Sequence, residues 1–392
     1  MKRASGGFGL HAAWHVDGFD VTLLRGLSTE RELWERKLLV AGRALPLPHR
    51  SAWAAFQPPA HDDWFLTVSD PTGHPCGAAT LQVASSRALP GHLLVRCERF
   101  GPGLSAGAQR AALRALVALA REQRRVLRLY VETYSIDPSE RAALEAHMQT
   151  LGFTRVQQAR SYEHTLLVPL EGSVESVFSS LHATARRHIR AADKHPVKLL
   201  PVEDPAYFAR LDEISRETYA RTGGRFDHPD WSGVVALCRR EPTASRLVGL
   251  FRTDVEGPSS LLAFAWGCGH GDTVQYSRSA STRDTPLKMP LMYPVVWDLI
   301  CWAKQNGARF FDFGGITVGG HGSGDPLGGI SDFKRYFSER AVQVGAEWSL
   351  EPRPVQAQAA KMLGSASSLL SRMWTTAKHR ADRLHTPRAA DA

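Results

Sequence analysis

The chain has 392 residues, 43% hydrophobic and 22% charged, an ordinary globular composition long enough for two domains with a core each. No run reaches the ~18 apolar residues of a membrane-crossing helix, MKRASGGFGLHAAWHV lacks the apolar core of a secretory signal, and Cys76, Cys97, Cys238, Cys268 and Cys301 show no CxxC spacing, which argues against a zinc or disulfide scaffold and for a reducing compartment. A net charge of +9 fits a polyanionic partner: nucleic acid, an anionic membrane face or a phosphorylated substrate.

Strand and helix signals alternate through the first half. DVTLLRGL (20–27) reads as a strand and STERELWERKLLVAG (28–42) as a helix, with Thr29 and Glu32 at capping-box spacing. Strands follow at 63–70 and 77–84 around the turn PTG, then at 92–100, ending in GPG. The amphipathic stretch 106–123 predicts a helix, 125–134 a strand, and 137–153 a helix with Pro138 at its first position and Gly152 at its stop. A last strand spans 159–170.

The second half repeats this grammar. Helices are predicted at 173–194, 205–221 and 228–240, and strands at 245–254, 260–269 and 272–280. A long helix at 290–307, the strand RFFDFGG, the short helix of GGISDFKRYF and a strand at 340–351 follow. In both halves a long helix ends in a polar turn and feeds a strand, AREQRRVLRLYVETY in one and AKQNGARFFDFGG in the other. The pattern predicts an internal duplication of one mixed α/β unit, with domains at 1–172 and 173–352. Beyond them, 353–392 carries seven Lys and Arg against two Asp. Its stretch 354–387 reads as a helix with an apolar stripe through Met362, Leu363, Leu370 and Trp374, docked on the protein or lying at an anionic membrane surface.

No GxSxG, HExxH or P-loop occurs, the sixteen histidines form no recognisable constellation, and no metal site is expected. ERFGPGL (98–104) invites comparison with acetyl-CoA-dependent N-acetyltransferases, which cradle pyrophosphate on a [QR]xxGxG turn opening a helix. Gly101 and Gly103 fit, but Glu98 would face the phosphates and Pro102 lacks an N–H. The matching turn of the second half, RSASTRDTPLKMP, has no glycine. Each half therefore reads as an acetyltransferase-like unit without its CoA loop, and no cofactor is expected. In GGISDFKRYF, Lys334 stands among Phe333, Tyr336 and Phe337. It is either a surface lysine on a helix with a buried aromatic face, or part of an anion site where a glycine loop meets a helix.

These landmarks resemble the FemABX family, bacterial transferases that add amino acids from aminoacyl-tRNA to peptidoglycan precursors and are built as two acetyltransferase-like domains without a CoA loop. The residues that carry the resemblance are RFGPGL (99–104), LGF (151–153), ARRHIRAADKHPVKL (185–199), WAKQNGARFFDFGGI (302–316) and GISDFKRYFSERAVQVGAEW (329–348). It implies an α/β (α+β) fold of two tandem GNAT-like domains plus a C-terminal helix. It also implies that Phe333 and Lys334 lie by the acyl donor, with Lys334 in catalysis. Attack on an aminoacyl ester builds an oxyanion, and one fixed donor stabilises it by ~2.7–4 kcal/mol. Asp312 is a candidate for orienting or deprotonating the attacking amine, or else a strand-end carboxylate capping the glycine loop; proton transfer assisted by the substrate is an equal reading.

For a lipid- or nucleotide-linked peptidoglycan precursor, the resemblance implies Arg186, Arg221, Arg225, Trp231, Tyr276 and Arg278 as substrate-binding residues, arginines suiting a diphosphate by their paired donors. It implies a cytoplasmic enzyme, which the membrane-surface reading of 354–387 would hold at the inner face of the cell membrane. Two alternatives stand beside it: a CoA- or carrier-dependent N-acyltransferase acting on a polysaccharide or small-molecule amine, and a non-catalytic cell-envelope adaptor.

Overall fold

The computed structural model describes residues 10–56, 62–223, 226–316 and 328–363. In the first unit, β1 (Leu10–Val16) and β2 (Phe19–Arg25) form a hairpin, followed by α1 (Thr29–Val40) and the short α2 (Ser51–Phe56). A meander of β3 (Asp62–Ser69), β4 (Pro75–Ser85) and β5 (Leu93–Phe100) comes next. Helix α3 (Ala106–Glu122) then crosses over to β6 (Val126–Thr133), parallel to β5, and α4 (Pro138–Thr150) leads to β7 (Thr154–Arg155). After β8 (His164–Pro169) the second unit opens with α5 (Val174–Ser180), α6 (Ala183–Ala191), β9 (Val197–Pro201), α7 (Phe208–Thr222) and α8 (Trp231–Arg240). Its meander is β10 (Ser245–Arg252), β11 (Leu261–Gly269) and β12 (Thr273–Ser281). Helix α9 (Met292–Gln305) crosses over to β13 (Phe310–Gly315), parallel to β12. The last elements are α10 (Gly328–Arg335), β14 (Ala341–Gln343) and β15 (Glu347–Leu350). Antiparallel meander, crossover helix and parallel strand occur in each unit, which is the predicted duplication.

The crossover helices owe their positions to sequence pattern. Ala108, Ala111, Ala112, Ala115, Leu116 and Leu119 of α3 are buried on the first sheet, and Ser105 caps the helix by accepting the Ala108 N–H. The small alanines let the helix approach the strands closely, while each fully buried leucine contributes ~1.5–3 kcal/mol. Helix α9 buries Val295, Val296, Leu299, Ile300 and Ala303 on the second sheet in the same way.

Local departures from the predicted elements have local causes. Helix α1 is capped by Ser28, whose side chain accepts the Arg31 N–H, so the cap lies one residue before Thr29. The stretch 173–194 is two helices, because the chain turns extended at Leu181 and His182, and His182 caps α6 by accepting the Thr184 N–H. Strands β1 and β9 and helix α2 carry too little periodicity to be read from sequence.

The sheets exchange strands. The eight-stranded sheet runs β1-β2-β3-β4-β5-β6-β15-β7 and the seven-stranded sheet β14-β8-β13-β12-β11-β10-β9. Thus β8 leaves the first unit to pair with β13 and β14, and β15 returns from the end of the second to pair with β6 and β7. A division at 172/173 therefore separates β8 from the sheet to which it is hydrogen-bonded. The single strand predicted at 340–351 is two, one in each sheet, with Gly345 between them. A Cβ on Gly345 would lie 1.8 Å from the Thr133 carbonyl oxygen.

Helical residues continue from 354 to 363. They dock on the first unit: Ala357 and Ala360 are buried against Leu127, and Arg353 donates to the carbonyls of Ala120, Arg121, Gln123 and Val126 at the end of α3. The rest of the predicted tail helix, Leu370 and Trp374 included, lies outside the described residues. No described helix is long and apolar enough to cross a membrane.

Candidate active site

Strands β12 and β13 pair only where Thr273, Val274 and Gln275 meet Phe310, Phe311 and Asp312. Beyond that the two strands are no longer paired, and α10 places Lys334 against the end of β13. Its Nζ donates to the Gly315 carbonyl at 2.6 Å, and the residue is 7% exposed. Burial pushes its ammonium down to about 8, opposed by the nearby charge of Asp312. Lys334 is therefore neither a solvated surface lysine nor, among the described residues, one half of a direct ion pair. Phe333 beside it packs edge-on against Tyr293 at 5.1 Å and against Phe337 at 5.5 Å, so its ring fixes α10.

Asp312 is wholly buried and fully engaged. Its Oδ2 accepts from the hydroxyls of Tyr134 and Tyr162, each at 2.9 Å, and lies 3.5 Å from Arg99 Nη2. Its Oδ1 accepts from the Thr165 hydroxyl and, at 2.7 Å, from the Gly314 N–H. Both carboxylate oxygens are therefore taken up by donors of the protein itself. Asp312 does cap the glycine turn, as the second reading of its strand-end position expected. It also ties the units together, because Tyr134 and Arg99 end β6 and β5. Arg99 is itself buried, in the left-handed region at φ 46°, within a break of β5–β6 register. Its guanidinium lies 3.7 Å from the Tyr134 ring centre and donates to Tyr162 and to Gln275. Sequence reasoning missed this cluster; a lone arginine in ERFGPGL and two tyrosines in different elements carry no spacing signal.

The expected substrate-binding residues are dispersed. Tyr276, half-buried on β12, packs against Phe313 of β13, with its hydroxyl pushed up by burial. Arg278 donates to Asp227 at 3.1 Å. Arg221, at the exposed end of α7, is lowered from its ordinary value by partial burial and by neighbouring Arg283. Arg186 lies on α6, its Nη1 donating to the Ser179 carbonyl at 2.7 Å. Trp231 lies in the core, 4% exposed and set edge-on to Phe264, with Nε1 donating to Asp212 at 2.8 Å. Arg225 lies outside the described residues.

The corresponding turn of the first unit is unsuited to a pyrophosphate. A Cβ on Gly101 would meet the Tyr134 carbonyl oxygen at 2.7 Å, and one on Gly103 the Ala44 carbonyl oxygen at 3.4 Å. The two glycines thus admit other backbone, and the oxygens beside them would repel phosphate. The Gln109 amide donates to the carbonyls of Gly101 and Leu104, drawing the α3 entrance closed on itself. A cavity of about 730 Å³ does lie here between the units, bordered by Gly101, Gly103, Tyr134, His270 and Arg309. Glu98 points elsewhere, into a smaller recess with Glu132. There burial and the neighbouring carboxylates hold Glu132 up at about 7. Among the described residues no cluster of His, Cys, Asp or Glu is placed to hold a metal.

Comparisons with known proteins agree with this architecture. Residues 179–335 match the family model of the acetyltransferase (GNAT) domain. The crystal structure of FemX superposes with a TM-score of 0.69 over 86% of this chain and 99% of that one, at 14% identity. Weaker likenesses include L-PGS from Bacillus licheniformis, at a TM-score of 0.49, 13% identity and coverages of 86% and 98%. A tandem GNAT protein from the clavulanic acid biosynthesis pathway follows at 0.48, 13% identity and coverages of 85% and 98%. No curated protein matches the sequence. The chain thus has the fold of FemX, two acetyltransferase-like α/β units in tandem, and residues 179–335 of its second unit match the acetyltransferase (GNAT) domain model.

Proposed function

We propose that the protein is a FemABX-type aminoacyltransferase, moving an aminoacyl group from aminoacyl-tRNA to an amine of a peptidoglycan precursor. The observation that carries the reading is Lys334: a buried ammonium at the end of β13, past the paired stretch of β12 and β13, held by the Gly315 carbonyl. The acceptor amine attacks the ester carbonyl carbon, and the oxyanion that forms is stabilised by the Lys334 charge in a site of low dielectric. Collapse forms the amide C–N bond and breaks the ester C–O bond. The amine's proton passes to the departing ribose oxygen, a substrate-assisted transfer favoured by the saturation of Asp312. Phe333 and Tyr293 position α10; Tyr276, Arg278, Arg221 and Arg186 are the acceptor-side candidates that remain. The reading implies a cytoplasmic enzyme whose precursor is made at the inner membrane face.

A CoA-dependent acyltransferase is the competing reading, and the occupied glycine turn of the first unit weighs against it. Purified protein should transfer a labelled aminoacyl group from charged tRNA to a nucleotide-linked muramyl peptide in single turnover. Acyl transfer from acetyl-CoA under the same conditions, with none from charged tRNA, would overturn the proposal.

A further inference from the structure

The α6 helix has one face on the protein and one charged face outward. Ala185, Ile189 and Ala192 are buried, while Arg187, Arg190 and Lys194 are exposed. Across 183–195 four Lys and Arg stand against the single carboxylate of Asp193. Among the described residues none of Arg186, Arg187, Arg190 and Lys194 has a carboxylate partner. Two are braced instead: Arg186 donates to the Ser179 carbonyl, and the Arg190 guanidinium lies 5.0 Å from the Phe178 ring centre. Arg187, Arg190 and Lys194 thus present an outward cationic face with no carboxylate partner among the described residues.

Rings continue from this helix toward the lysine. His188 lies against Tyr293 at 4.9 Å, Tyr293 against Phe333 at 5.1 Å, and His182 against Tyr336 at 5.3 Å. Tyr336 is exposed, and the His182 N–H donates to its carbonyl, which locks α6 against α10. Cations beside exposed rings are what single-stranded nucleic acid requires: phosphates on the guanidinium groups and a base on a π-face.

We propose that the outward face of α6, with the ring ledge of His182, His188 and Tyr336, is the docking surface for an RNA 3′ end that carries the acyl group to Lys334. The proposal rests on Lys334 being the reaction site. Cations spread from Arg187 to Lys194 over ~10 Å of helix suit a run of phosphates better than one diphosphate.

The test measures binding without turnover, using a labelled, uncharged RNA hairpin with a single-stranded 3′ end and the full chain in a salt series. Arg187→Glu/Arg190→Glu should weaken binding at least tenfold. The slope of log affinity on log salt should fall by about 1.4–1.8, at ~0.7–0.9 for each phosphate no longer neutralised. Arg187→Lys/Arg190→Lys should bind close to wild type. Should the reversal variant melt early, Arg187→Gln/Arg190→Gln replaces it, with loss of affinity again expected. Unchanged RNA affinity in a folded variant would overturn the surface while leaving the tRNA-dependent reading standing. Wild-type protein that ignores the hairpin but binds CoA would overturn both.

Discussion

Under the proposed function, Lys334 couples chemistry to stability through one proton. Its buried ammonium is pushed down to about 8 from an ordinary 10.5. Between those values the unfolded chain binds more protons than the folded one, so this group makes the protein more stable as pH rises across that window. In the proposed reaction catalysis runs the other way, because the oxyanion needs the charged form, and transfer should decline as pH rises through about 8. Lys334→Met removes both effects. We expect transfer to fall by ~10²–10³-fold, with a melting temperature at pH 7 no lower than wild type. Rates and melts at pH 7 and pH 9.5 check this, and a folded Met variant of near-normal activity would refute the role. Lys334 could be singled out in sequence because a Phe-Lys pair after a glycine loop is a local motif, while its burial could not be read there. Asp312 was only half legible: the strand end fixed its place, but its partners Tyr134, Tyr162 and Thr165 come from elements that only folding brings together.

At the scale of elements, periodicity located most helices and strands but not their partners. The run RAVQVGAEWSLE alternates like one strand throughout, since side-chain alternation records burial and not which sheet supplies the hydrogen bonds. Gly345 marks the crossing, where only a hydrogen fits against the Thr133 carbonyl. Gly345→Ala should therefore expel β15 from beside β6, giving insoluble protein or a melt lowered by many degrees; an unperturbed melt would contradict the crossing. The tail behaves as an element too. Truncation after residue 352 removes Arg353, whose guanidinium satisfies four carbonyls where α3 ends, and uncovers Leu127. Arg353→Ala alone should cost ~1.5–3 kcal/mol, and the truncation more. Denaturant unfolding of both measures it, and a truncated chain as stable as the full one would show the docked segment to be dispensable.

On the scale of the whole molecule, two acetyltransferase-like units would ordinarily be expected to unfold separately, since contacts between domains are usually modest. Here β15 from the end of the chain completes the first sheet, β8 runs from the first unit into the second sheet, and the units share a buried charged cluster. The Asp312 carboxylate from β13 meets Arg99 and Tyr134 at the ends of β5 and β6, so neither unit can open without leaving a charge buried and unpaired. Breaking such a pair from one side costs ~3–5 kcal/mol. Calorimetry should accordingly show one transition for the native chain, with calorimetric and van't Hoff enthalpies in agreement. Asp312→Asn retains the shape of the side chain but leaves Arg99 without its counter-charge. It should lower the melting temperature and split the transition, because the exchanged strands alone then couple the units. Two resolved transitions in the wild type would show that the strands and the cluster do not bind the halves into one cooperative unit. A single unshifted transition in the variant would place the coupling in β8 and β15 alone.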